Sequence, residues 1–107
     1  MSTQTTQIMT KHNWTKEDIY LVLDSINLFW NKRDWNDLMK DISTDLGVGR
    51  GAVNALLTST SRINQGFEPN PTQGGVGYNW SPKLQTTFLE WKEKRGVTTS
   101  HIDKILG

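Results

Sequence analysis

Cysteine is missing from the 107-residue chain. Disulfides, thiolate catalysis and thiolate metal sites are therefore excluded. Small secreted domains often need disulfide staples, so the absence favours an intracellular location. No apolar run approaches the roughly 20 residues that cross a bilayer. The opening MSTQTTQIMTKH has no apolar core of the kind a secretion signal carries, and no membrane association is expected. A strong charge of either sign is also lacking: 12 basic and 11 acidic residues leave a net +1. Any case for a nucleic-acid partner must then rest on local charge.

What the chain has in plenty is tryptophan, with Trp14, Trp30, Trp35, Trp80 and Trp91. Each ring removes roughly 150–250 Å² from water when buried. A few such anchors can hold several short helices in one domain of this length.

Residues 1–12 read as a polar, flexible tail. Thr15, with Asp18 three residues on, then has the form of a helix start. Ile19, Val22, Leu23, Ile26, Phe29 and Trp30 follow at helical spacing, with Tyr20, Leu21 and Leu28 widening the apolar surface. Asp34 caps a second helix whose inward face is Trp35, Leu38, Met39, Ile42 and Leu46. Gly47-Val48-Gly49 closes it, and a third helix is predicted from about Arg50 to Ile63, with Ala52, Val53, Leu56, Leu57 and Thr60 inward.

Residues 64–80 hold four glycines and two prolines, and read as a long loop. Phe67, Val76, Tyr78 and Trp80 suit a loop packed back on the domain, or an arm for a partner; Val76–Tyr78 could also form a small β-ribbon. Ser81-Pro82 starts a fourth helix bearing Leu84, Phe88 and Trp91, ended by Gly96. A last short helix is expected from about Ser100 to Leu106. The expected class is mainly α: a three-helix core in residues 13–63, with residues 81–107 as a helical segment packing on it.

Catalytic chemistry has no visible carrier. His12 and His101 pair with no nucleophile, and no ligand cluster has metal spacing. Asp34, Asp37, Asp41 and Asp45 recur along one helix, where a solvated acidic face explains them better than a cation site. Gly47, Gly49 and Gly51 follow a helix and lack a Lys-Ser/Thr continuation, so they form a turn and not a phosphate loop. Neither an enzyme nor a cofactor is expected.

Trp14-Thr15-Lys16-Glu17-Asp18, Trp35 twenty-one positions later, and the turn and helix of Leu46–Ser61 together resemble a Myb/SANT-like helix-turn-helix domain. The likeness spans Trp14–Phe67, about half of the chain. Leu56 or Leu57 stands where that family often has a third tryptophan. Arg62-Ile63-Asn64-Gln65-Gly66-Phe67 is also similar to the continuation of such domains beside nuclease modules in phage and bacterial proteins. The resemblance implies three helices around a tryptophan core, the third entering the DNA major groove. It departs from the family at Asn54-Ala55, where a lysine and an asparagine are usual.

Local charge points the same way. No acid lies between Asp45 and Glu68, whereas residues 13–45 carry seven acids and four bases. The third helix is thus free of anionic repulsion toward phosphate. Its outer positions offer Arg50, Asn54, Thr58, Ser61 and Arg62 for bases or phosphates, with Lys11 and Lys16 as further phosphate contacts. Two arginines make a thin footprint, which a homodimer or a protein partner would reinforce. The expected function is DNA binding, as a small phage or mobile-element regulator or packaging component. The competing expectation is a protein-interaction module, such as an inhibitor or adaptor, using the same scaffold.

Overall fold

The computed structural model describes residues 14–70 and 79–106. Thr15 opens α1 (Lys16–Phe29): its hydroxyl accepts from the Asp18 amide at 3.0 Å, and the Asp18 carboxylate accepts from the Thr15 amide at 3.3 Å. This reciprocal cap satisfies two amides that a helix start leaves unpaired. Asp34 caps α2 (Trp35–Leu46) through the Asp37 amide, and Gly47 closes it at φ 70°. That left-handed turn favours a residue without a Cβ. Val48 and Gly49 complete a three-residue corner into α3 (Arg50–Asn64). Ser81, with Pro82 in the first turn, starts α4 (Pro82–Arg95), which Gly96 ends in the same left-handed way. Thr98 leads into α5 (Thr99–Leu106). Among the described residues there are helices and no strands.

The helices share one core. Ile19, Val22, Leu23 and Ile26 of α1 meet Leu38, Met39 and Ile42 of α2, and Val53, Leu56, Leu57 and Ile63 of α3. Trp80, Leu84, Phe88 and Trp91 join them from the C-terminal segment, as does Ile102 of α5. Helix α3 packs against α2, α4 and α5, while α1 packs against α2 and α4. Buried Ser43 and Thr60 donate to the carbonyls of Met39 and Leu57, so their hydroxyls enter the core without a lost hydrogen bond.

Polar contacts join α4 to α1. Asp24 accepts from Trp91 Nε1 at 2.8 Å and from both Nε and Nη2 of Arg95, at 2.9 and 3.0 Å. The hydrogen-bonded guanidinium, helped by the Trp91 indole, holds the Asp24 carboxyl below the ordinary range, against a partial burial that raises it. Glu90 bridges Lys16 and Lys94 at 3.0 and 3.2 Å. Lys16, Lys94 and Arg95 surround the Tyr20 ring at 5.8, 6.0 and 5.4 Å from its centroid.

Several expectations change on this frame. Trp35, expected to be inward, is 39% exposed, because it opens α2 at the edge of the core. Trp14 and Trp30 only flank the core, so the inner tryptophans are Trp80 and Trp91. Phe29 lies at the end of α1 and is exposed, Ala52 is half-buried, and Phe67 projects into solvent. The tail expected at 1–12, and Val76 and Tyr78 of the long loop, lie outside the described residues.

Candidate nucleic-acid interface

The first turn of α3, after the glycine corner, buries Val53 and leaves its outer side exposed. Gly49, Arg50, Gly51 and Asn54 are exposed. A Cβ placed on Gly51 would have no atom within 4 Å, so this part of the helix surface is open. Arg50 Nη2 donates to Asn36 Oδ1 of α2 at 3.1 Å, which holds the guanidinium across the corner. Gly49 supplies no side-chain cap, unlike Thr15, Asp34 and Ser81 at the starts of α1, α2 and α4. The first amides of α3 are therefore not satisfied by a capping side chain.

Further along, the outer side narrows. Thr58 is half-buried and its hydroxyl donates to the Asn54 carbonyl at 2.9 Å. Half-buried Ser61 accepts from Gln65 Nε2 at 3.1 Å. Arg62 is half-buried and engaged within the molecule. Asn54 and Thr58 border a cleft of about 200 Å³ with Leu57, Trp35, and Ile105 and Leu106 at the end of α5. The neighbour flanking this side is α5; Leu84, Phe88 and Trp91 of α4 are directed into the core.

Helix α5 is fastened to the far end of α3. Asn64 Nδ2 donates to the Thr99 carbonyl at 3.2 Å and to Asp103 Oδ1 at 2.9 Å. Lys92 Nζ reaches Asn64 Oδ1 and Thr99 Oγ1, both at 2.9 Å. His101 Nε2 lies 2.9 Å from Asn27 Oδ1, and its ring stands edge-on to Trp30 at 6.2 Å between centroids.

The anticipated contacts therefore separate. Arg50 and Asn54 share an open surface, Thr58 and Ser61 lie at its margin, and Arg62 is committed elsewhere. Lys16 is paired with Glu90 on α4, whose carboxylate raises its pKa. Lys11 lies outside the described residues. The sequence reading missed Asn36 as the anchor of Arg50, and Ile105 and Leu106 as neighbours of Asn54. No local pattern announces a contact between residues some fifty positions apart. Asp34 and Asp41 of the acidic row serve the fold, one as a cap and the other paired with Arg33 at 2.6 Å. Among the described residues no three His, Asp or Glu side chains assemble as metal ligands, and no helix is long and apolar enough to cross a membrane. No family model, curated protein or solved structure matches the chain.

Proposed function

We propose that the chain binds double-stranded DNA through the N-terminal half of α3, with α2, the glycine corner and α3 acting as a Myb/SANT-like helix-turn-helix. The observation that carries this reading is the exposure of Arg50, Gly51 and Asn54 on a helix that itself carries no acid. Recognition helices of this kind contact base edges mainly with their N-terminal residues. Arg50 can pair with guanine and Asn54 with adenine, while Gly51 permits close approach of the backbone. The amides beginning α3 suit a phosphate oxygen. Thr58 and Ser61 extend the contact, with Ile105 and Leu106 setting its limit. A small regulator or packaging component of a phage or mobile element would use such a domain.

Duplex binding measured by gel shift at low and moderate salt tests the proposal. Affinity should fall as salt rises, because lysine or arginine contacts release counterions. Arg50→Ala and Asn54→Ala should each weaken binding about ten- to hundredfold, the usual worth of a bidentate base contact. A chain that shifts no duplex even at low salt, or an Arg50→Ala variant that binds as tightly as the parent, would overturn the assignment. A second reading, a protein-interaction module, is favoured by a separate feature, the exposed apolar face of α1.

A further inference from the structure

Helix α1 is apolar on two sides. Ile19, Val22, Leu23 and Ile26 are buried, but Leu21, Leu28 and Phe29 are 38%, 57% and 39% exposed. Tyr20, Leu21, Leu28 and Phe29 line an open groove of about 530 Å³ along the outer side of α1, into which the charged Lys16, Glu17 and Asp24 also reach. A solvent-facing helix normally carries polar residues there, so these exposed apolar side chains mark an association surface.

We propose that this strip pairs with the same strip of a second copy of the chain. The two α1 helices lie antiparallel, about a two-fold axis between Asp24 and Ser25. Such symmetry sets each residue against the one whose number completes 49. Leu21 then faces Leu28 of the second copy, Phe29 lies beside the cation-flanked Tyr20, and Glu17 lies toward the turn that carries Lys32 just after α1. Asp24 and small Ser25 meet their counterparts at the crossing, where the helices must approach to about 8–10 Å.

The charges fit the same register. Glu17 and Lys32 are exposed at opposite ends of the strip. Lys16 and Arg33, which this register would bring together, already pair with Glu90 at 3.0 Å and Asp41 at 2.6 Å. The Asp24 carboxylate near the axis is held by Arg95 and Trp91. A parallel pairing would instead set Glu17 against Glu17. The strip contains none of Arg50, Asn54, Thr58, Ser61 or Arg62, so association and DNA binding are separable. One helix pair of 14 residues, about 21 Å long, makes a small interface, and the dimer should be weak.

Sedimentation equilibrium over a wide range of micromolar concentrations tests this, because small interfaces associate weakly. The mass should rise from 12.2 kDa toward twice that value. Leu28→Asp, at an exposed position, should keep its helical circular dichroism and remain monomeric. Glu17→Lys and Lys32→Glu should each weaken the dimer about two- to fivefold, and their combination should restore it. The chain has no cysteine, so Ser25→Cys should yield one disulfide-linked dimer under mild oxidation. A parent chain that stays monomeric throughout, with no crosslink through Ser25→Cys, would overturn the proposal. So would a dimer that survives Leu28→Asp, or a charge reversal that brings no recovery.

Discussion

Trp35 and Trp91 lie on helices of 12 and 14 residues, yet one is 39% exposed and the other 1%. Trp35 opens its helix at the rim of a cleft that it shares with the end of α5 and the side of α3. Trp91 lies in the interior, stacked near Phe88 at 6.3 Å and hydrogen-bonded to Asp24. The difference extends to the rest of each region. Trp14 and Trp30, at the two ends of α1, flank the core and Trp35 is exposed, whereas Trp80 and Trp91 of the C-terminal segment are inside it. Residues 79–106 are thus not an appendage laid on a finished bundle. They supply the largest side chains of the common core, and α4 and α5 join α2 in covering the inner side of α3.

The largest expected effect breaks this contrast at its strong end. Trp91→Ala should cost about 3–5 kcal/mol, the usual loss for truncating a buried aromatic. Total stability of a small domain is typically about 5–15 kcal/mol, so urea denaturation should show a drop that takes much of the margin. A cost below about 1 kcal/mol would mean that the C-terminal segment is dispensable.

Next in size is a pair of matched substitutions. Gly47 and Gly96 end α2 and α4 with φ of 70° and 66°. Alanine at either site meets no steric obstacle but must adopt a left-handed backbone, at about 1–2 kcal/mol. Both variants should shift a single thermal transition, since their helices share one core. Two separate transitions would instead divide the chain into independent halves.

A smaller effect reports the seam between the regions. The folded Asp24 carboxyl sits below its ordinary range because of Arg95 and Trp91. Its contribution is therefore present above the ordinary carboxylate range and fades as pH falls through the lowered folded value. Asp24→Asn should be less stable than the parent at neutral pH, and the two urea curves should converge in acid. The effect is modest because the pair is partly in water. Smallest of all, Trp35→Ala should cost less than about 1 kcal/mol, as for other half-exposed sites. A loss matching that of Trp91→Ala would erase the distinction between rim and core.

Much of the local structure could be read directly. Thr15 with Asp18, Asp34, Gly47, Ser81-Pro82 and Gly96 mark helix ends close to where the structure has them. Such signals are short-range: a cap is a contact between residues three or four positions apart. The spacing of Ile19, Val22, Leu23 and Ile26 also marks the inward side of α1, since helical period alone aligns them. Of the candidate interface, the acid-free stretch around Arg50 and Asn54 could be read, but not how much of it would stay open. Trp35 and Phe29 were misread because apolar character says that a residue gains by burial, not that a neighbour exists to bury it.

The sequence by itself determined the five helices, their ends and the distribution of charge along them. These depend on backbone hydrogen bonding, capping and residue type, all of which act within a turn or two of the chain. Only the tertiary structure decided that Trp80 and Trp91 are the inner tryptophans, that Ile105 and Leu106 flank Asn54 and Thr58, and that Leu21 and Leu28 remain uncovered. Those outcomes depend on which helix faces compete for one core of limited volume, and that competition is settled by packing between residues distant in the chain.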